Sequence, residues 1–203
     1  MGKVFNLENP IWVFMGKVFD MLVLTILWVV TSIPLITMGA STTALYYVAM
    51  KQARNEEGYI IQQFFHSFKT NFYQATKVFV VILAIGVFLV VDLLWYYQFK
   101  NGLGVMIFFM FFILTVLYGM VITYSFPLLA RCETNIKRIF AMAFIISIKN
   151  LGWTLLMMTT TVCILAIGIF ICAPFLLLSI GLIAYIHGKI LYIVLKQYQL
   201  VLS

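Results

Sequence analysis

Residues 32–48 read SIPLITMGASTTALYYV. A proline, a glycine and a run of small and hydroxyl residues interrupt an apolar stretch that extends over 18–50. As one helix, its 33 residues would measure about 50 Å, against a hydrocarbon core about 30 Å thick. That is too long for one upright crossing and short for two full ones. Pro34 removes a helical N–H and pushes Ile33 toward extended backbone, Gly39 admits turn geometry, and Ser41, Thr42 and Thr43 supply hydroxyls to cap a new helix. The stretch therefore breaks at Pro34–Ser41. One reading is a tight hairpin outside the cytoplasmic face. The other is a re-entrant element whose helix N-terminus faces a ligand.

The rest of the chain supports a membrane setting. Of its 203 residues, 65% are hydrophobic and 9% charged, with a mean hydropathy of +1.11. Soluble domains are about half apolar and about a quarter charged, so this chain lacks the polar surface to coat a globule in water. The apolar run begins after Lys3, Glu8, Pro10 and Lys17 and exceeds a signal-peptide core, so it is read as a retained helix. Cys132, Cys163 and Cys172 show no paired ligand spacing and are read as small buried packing residues.

Further apolar runs at 78–97, 103–130, 151–173 and 175–195 are each long enough to cross once. The net charge of +7 carries orientation information, and nucleic-acid binding is not needed to explain it. If 18–50 crosses twice, Lys3, Lys17, Lys51, Arg54, Lys69, Lys77, Arg131, Lys137, Arg138, Lys149, Lys189 and Lys196 share one side and Lys100 alone is opposite. If it crosses once, Lys3 and Lys17 join Lys100. The positive-inside rule favours the first arrangement, with both termini cytoplasmic. The expected fold is a single polytopic membrane domain over 1–203. It is all-α, with about six transmembrane helices (five being the alternative) and one or two amphipathic cytoplasmic helices.

Two polar segments separate the spans. In 56–77, Ile60, Ile61, Phe64, Phe65, Phe68 and Phe72 recur at helical spacing, with Gln62, Gln63, His66, Lys69, Thr70 and Asn71 on the other side. This predicts an amphipathic helix whose phenylalanine face lies on lipid or docks on a partner. The basic segment 131–150 turns apolar toward its end. Its FIISIKN (144–150) echoes FHSFKTN (65–71), and each echo precedes an ILAIG, at 82–86 and 164–168. A duplication would relate two units of parallel orientation.

Asp20 and Asp92 are the acidic residues inside predicted spans, which makes them functional candidates. Each also has a plainer reading. Asp20 lies three residues after Lys17, a pairing distance on a helix, and Asp92 neighbours Trp95, Tyr96 and Tyr97 near a span end. His187, beside Gly188 and Lys189, reads as an interfacial residue or, less simply, as part of a solute pathway. No nucleophile elbow, HExxH, CxxC pair or phosphate-binding glycine loop is present in the sequence. The expectation is a non-enzymatic protein without cofactor or metal.

The N-terminal pattern GKVFNLENPIWVFMGKVFDMLVLTILWVVTSIPLITMGASTTALYYVAMK, followed by FFHSFKTNFYQATKV, resembles the YesL-like family of small bacterial membrane proteins, a family of unknown function. The resemblance is densest over 3–80. It rests on Asp20, the break at Pro34 with Gly39–Ala40–Ser41–Thr42, and Phe68–Lys69 with Asn71. It implies a polytopic protein of the bacterial cytoplasmic membrane, of a kind often encoded beside sugar-import ABC systems. An accessory subunit packed on an importer permease follows from that resemblance. The alternative is a self-sufficient small-solute transporter or channel using Asp20, Asp92, His187 and the break.

Overall fold

The computed structural model describes residues 10–198 apart from 55, 57, 100, 133 and 172, with the side chains of 10, 11, 13, 14, 170, 171 and 173–177 left out. Lys3, Glu8, Lys100 and Cys172, used in the topology and cysteine readings, lie outside the described residues. Seven α-helices follow one another: α1 Pro10–Ser32, α2 Met38–Ala53, α3 Ile60–Tyr97, α4 Gly102–Leu129, α5 Ile136–Lys149, α6 Leu151–Ile171 and α7 Ala173–Lys196. There is no strand among the described residues. Five helices (α1, α3, α4, α6 and α7) are long and apolar enough to cross a membrane.

The stretch 18–50 doubles back on itself. Pro34 is extended at ψ 117°, a short 3-10 turn occupies Leu35–Thr37, and α2 starts at Met38. Trp28 Nε1 donates to Thr42 Oγ1 at 3.2 Å, and Leu24 packs with Leu45 and Val48, so α1 and α2 run antiparallel. The hydroxyls expected to cap α2 have another use. Ser41, Thr42 and Thr43 donate to the carbonyls of Thr37, Met38 and Gly39, four residues back, because all three already lie inside the helix. Thr37 is the hinge residue, and its hydroxyl reaches Pro34 O at 2.6 Å. Gly39 is helical and serves close approach instead of a turn: a Cβ there would collide with the Ala75 carbonyl and Phe79 Cβ of α3.

The segment 56–77 also differs from expectation. No glycine or proline lies between Tyr59 and Ile85, so the amphipathic stretch and the apolar run 78–97 form one continuous α3. Its 38 residues measure about 57 Å. Its inward stripe is Phe64, Ser67, Ala75, Val78, Ile82 and Leu89. α2 lies antiparallel along the first half, and the 33–37 turn meets α3 at Thr76, whose hydroxyl is 3.4 Å from Ile36 O. The two hairpins are thus staggered along α3. Lys77, assigned from sequence to the side opposite the turn, lies one residue from that contact.

Beyond Thr76, α3 pairs with α4. Tyr118 donates to Ile82 O, Phe88 and Tyr96 both meet Phe111, and Tyr97 meets Phe108. α6 lies beside the last turns of α4, where Tyr124 bonds Thr154 and Gly119 faces Met158. The end of α4 and the start of α6 therefore share one end of the molecule, and α5 joins them there without crossing. α5 buries Ile139, Ala143, Ile146 and Ser147 and exposes Phe144, Ile145 and Ile148. The echoed heptads differ in structure, since the first lies within α3 and the second is broken at Asn150. α7 returns antiparallel to α1, and Gly181 abuts Met21 and Thr25 so closely that a side chain would not fit. Cys163, expected in the core, is exposed on α6.

Candidate functional site

The bundle's interior carries a seam of polar side chains among small apolar ones, centred on His187. It is 2% exposed, a core residue rather than an interfacial one. Nε2 lies 3.1 Å from Met157 O, which can only accept, so Nε2 carries the proton. Thr160 and Thr161 Oγ1 lie 3.4 and 3.3 Å from the same nitrogen, and their own protons go to Leu156 O and Met157 O. Nδ1 then accepts from the Tyr46 hydroxyl at 3.3 Å, with the two rings within 8° of parallel. Both ring nitrogens are occupied, and one side chain ties α2, α6 and α7 together. Buried polar groups satisfied in this way act as a clasp.

Two smaller clasps flank it. Thr25 Oγ1 accepts from the Gly181 N–H at 2.9 Å and donates to Met21 O, joining α1 to α7. Thr154 bonds Tyr124 and the carbonyls of Ser147 and Asn150, while Asn150 Nδ2 donates to the Tyr198 hydroxyl. Tyr46, Thr160, Thr161 and Thr25 were not among the sequence candidates. Their signals were a tyrosine just after the break and three consecutive threonines in an apolar span.

The candidates do not converge on one site. Asp20 is half-buried on α1, and no ion pair joins it to Lys17 among the described residues. Lys17 lies near Tyr185 of α7, whose ring also carries the Lys189 ammonium 4.7 Å from its centroid. Asp92 lies on the α3 face turned to α4, between Phe88 and Tyr96, which both meet Phe111. Its Oδ2 is buried with no hydrogen-bond partner among the described residues. Pro34 and its neighbours Ile33, Leu35 and Ile36 are exposed, so the break is an outer turn and not a covered re-entrant loop.

The four phenylalanines divide between two sides of α3. Phe64 is 0% exposed among Leu24, Ala44, Leu45, Val48, Ala49 and Ala184, and Phe68 packs on that cluster. Phe65 and Phe72, at 39% and 38%, remain on the outside with Lys69. Asn71, assigned from sequence to the polar side, is half-buried and donates to Ser67 O. The expected single outer face fails because α2 covers half of it.

An all-α chain with five such helices is a multi-pass membrane protein. Residues 21–93 are similar to the family described as "Protein of unknown function, DUF624". That span takes in the break, α2, the phenylalanine stretch and Asp92, and leaves out Asp20 and His187. The chain is also 25% identical over 160 residues to "Uncharacterized protein YteU" of Bacillus subtilis (strain 168), covering 78% of this chain and 72% of the relative. No solved structure matches.

Proposed function

We propose that this chain is a non-enzymatic subunit, of the YesL-like kind, that packs beside the permease of an ABC-type (oligo)saccharide importer in the bacterial cytoplasmic membrane, both termini cytoplasmic. The sequence resemblance supports the importer half of this reading. One structural observation supports the accessory half: Ile61, Phe65, Lys69, Phe72 and Tyr73 stand exposed along α3, on a helix made rigid from behind by buried Phe64. Small-residue surfaces at Gly39 and Gly181 are spent on contacts within the chain, so the partner face is this aromatic one.

The test is purification of a tagged copy from the native host in mild detergent, with mass spectrometry of the bound proteins. Stoichiometric permease and ATPase subunits are expected, and Phe65→Ser with Phe72→Ser should release them without unfolding the chain. Recovery of the chain alone would sink the reading.

A second reading, a small-solute transporter or channel, draws on Asp92 Oδ2, buried without a hydrogen-bond partner among the described residues. In proteoliposomes, Asp92→Asn should then abolish flux. Unchanged flux would remove Asp92 from any pathway.

A further inference from the structure

We infer that the cleft between the C-terminal end of α2, the first half of α3 and the α4–α5 linker binds a phosphate-bearing anion. Its volume is about 910 Å³, and Lys51, Arg54 and Arg131 line it together with His66, Thr70 and Asn71. All three strong cations are half-buried. Each comes from a different part of the chain or a different turn, so their convergence is a product of the fold. Lys51 is held over the Tyr47 ring, its ammonium 4.9 Å from the centroid. Arg54 pairs with Glu56 at 3.2 Å.

Half-buried like charges cost free energy unless an opposite charge joins them. Glu56 offsets part of this. A second cleft of about 530 Å³, lined by Lys77 and Arg138, adjoins the first at Thr134. The Gln74 amide donates to Thr134 O and fixes the linker between the two clefts, while Thr134 Oγ1 has no partner among the described residues. Across both clefts five strong cations face one described carboxylate. Counting the sequence neighbours Glu57 and Glu133 raises the acids only to three.

Guanidinium forks suit phosphate oxygens in pairs, while the Thr70 hydroxyl and the Asn71 amide already donate within α3, to His66 O and to Ser67 O and Oγ, and form the cleft's polar wall. The volume exceeds a bare phosphate and admits a phosphate ester. Two sources carry that chemistry, the headgroup of an anionic phospholipid and a soluble phosphate ester. Basic pockets at the ends of membrane helices are suited to the first.

The experiment compares the wild-type chain with Arg131→Gln, Arg131→Lys, Lys51→Gln and, as a control at an exposed lysine that lines neither cleft, Lys149→Gln. Native mass spectrometry reads retention of phosphatidylglycerol against phosphatidylcholine, and thermal unfolding in detergent reads the effect of inorganic phosphate. Preferential phosphatidylglycerol retention, weakened about tenfold by Arg131→Gln or Lys51→Gln, is the expected result. Lys149→Gln should leave it unchanged, and Arg131→Lys, which keeps charge without the fork, should fall between. A rise in thermal midpoint with inorganic phosphate that Arg131→Gln abolishes, without lipid preference, supports the site and assigns it to a soluble ester. The inference is overturned if neither anion distinguishes wild type from Arg131→Gln, or if Lys149→Gln loses as much. Unfolding midpoints without added anion separate lost binding from lost fold.

Discussion

α2 and α4 invert the rule learned from soluble proteins. α2 is the less apolar helix, rich in small and hydroxyl residues, yet Gly39, Ala40, Ser41, Thr43, Ala44, Leu45, Val48, Ala49 and Met50 are all buried. α4 is crowded with Phe, Ile and Met, yet only 6% of its most apolar stretch is buried in the protein. Lipid is as apolar as leucine, so large hydrophobic side chains gain little by turning inward. Small residues gain by letting backbones approach. The core of this molecule is therefore built around α2, against α1, α3, α4 and α7, while the α3–α4 hairpin beyond Thr76 packs mainly on itself.

The largest test of that contrast uses the same substitution in both regions. Phe64→Ala opens a cavity inside the α2 cluster and should cost about 3–5 kcal/mol, as deep aromatic truncations do. Phe88→Ala removes a ring that is 61% exposed and touches Phe111, and should cost under about 1 kcal/mol. Unfolding in mild detergent followed by circular dichroism measures both. Equal losses would mean that the distal hairpin is as tightly packed as the α2 cluster.

Gly39→Ala sharpens the argument with a single methyl group. Its Cβ would meet the Ala75 carbonyl and Phe79 Cβ, and backbone cannot move aside cheaply, so a loss of about 1–3 kcal/mol is expected. The same unfolding assay reads it. A neutral result would show that α2 and α3 are less closely apposed than described.

Class and broad organisation were legible in the sequence because composition and run length depend on no partner. The break at Pro34 was legible for the same local reason, since a missing N–H acts where it stands. The inward face of α3 was not. Phe64 and Phe65 are neighbours in sequence and lie on different sides of one helix, and in lipid both sides tolerate phenylalanine. The better markers were Ser67 and Ala75, small residues at helical spacing. His187 was visible as an oddity, but its partner Tyr46 lies 141 residues away, and no local pattern joins them.

The His187 clasp yields a smaller effect than its burial suggests. Tyr46→Phe, His187→Phe and the double variant form a cycle whose coupling should be about 0.6 kcal/mol, reaching about 1.7 at most. Chains unfolded in a membrane or micelle find other partners for their polar groups, which limits the net gain. A coupling near zero would mean that the 3.3 Å contact between Tyr46 and His187 is incidental.

A small effect of opposite sign belongs to Gly16→Ala, the counterpart of Gly39→Ala. Gly16 also sits within a helix, but among the described residues nothing lies within 4 Å of where its Cβ would be. Only backbone freedom changes, and a gain of up to about 0.8 kcal/mol is expected from the lower entropy of the unfolded chain. The two substitutions are chemically identical and should have opposite signs, because one glycine is a spacer between helices and the other faces outward. A loss at Gly16 measured in detergent would place another surface against α1, and a second copy of the chain would then be the first partner to test.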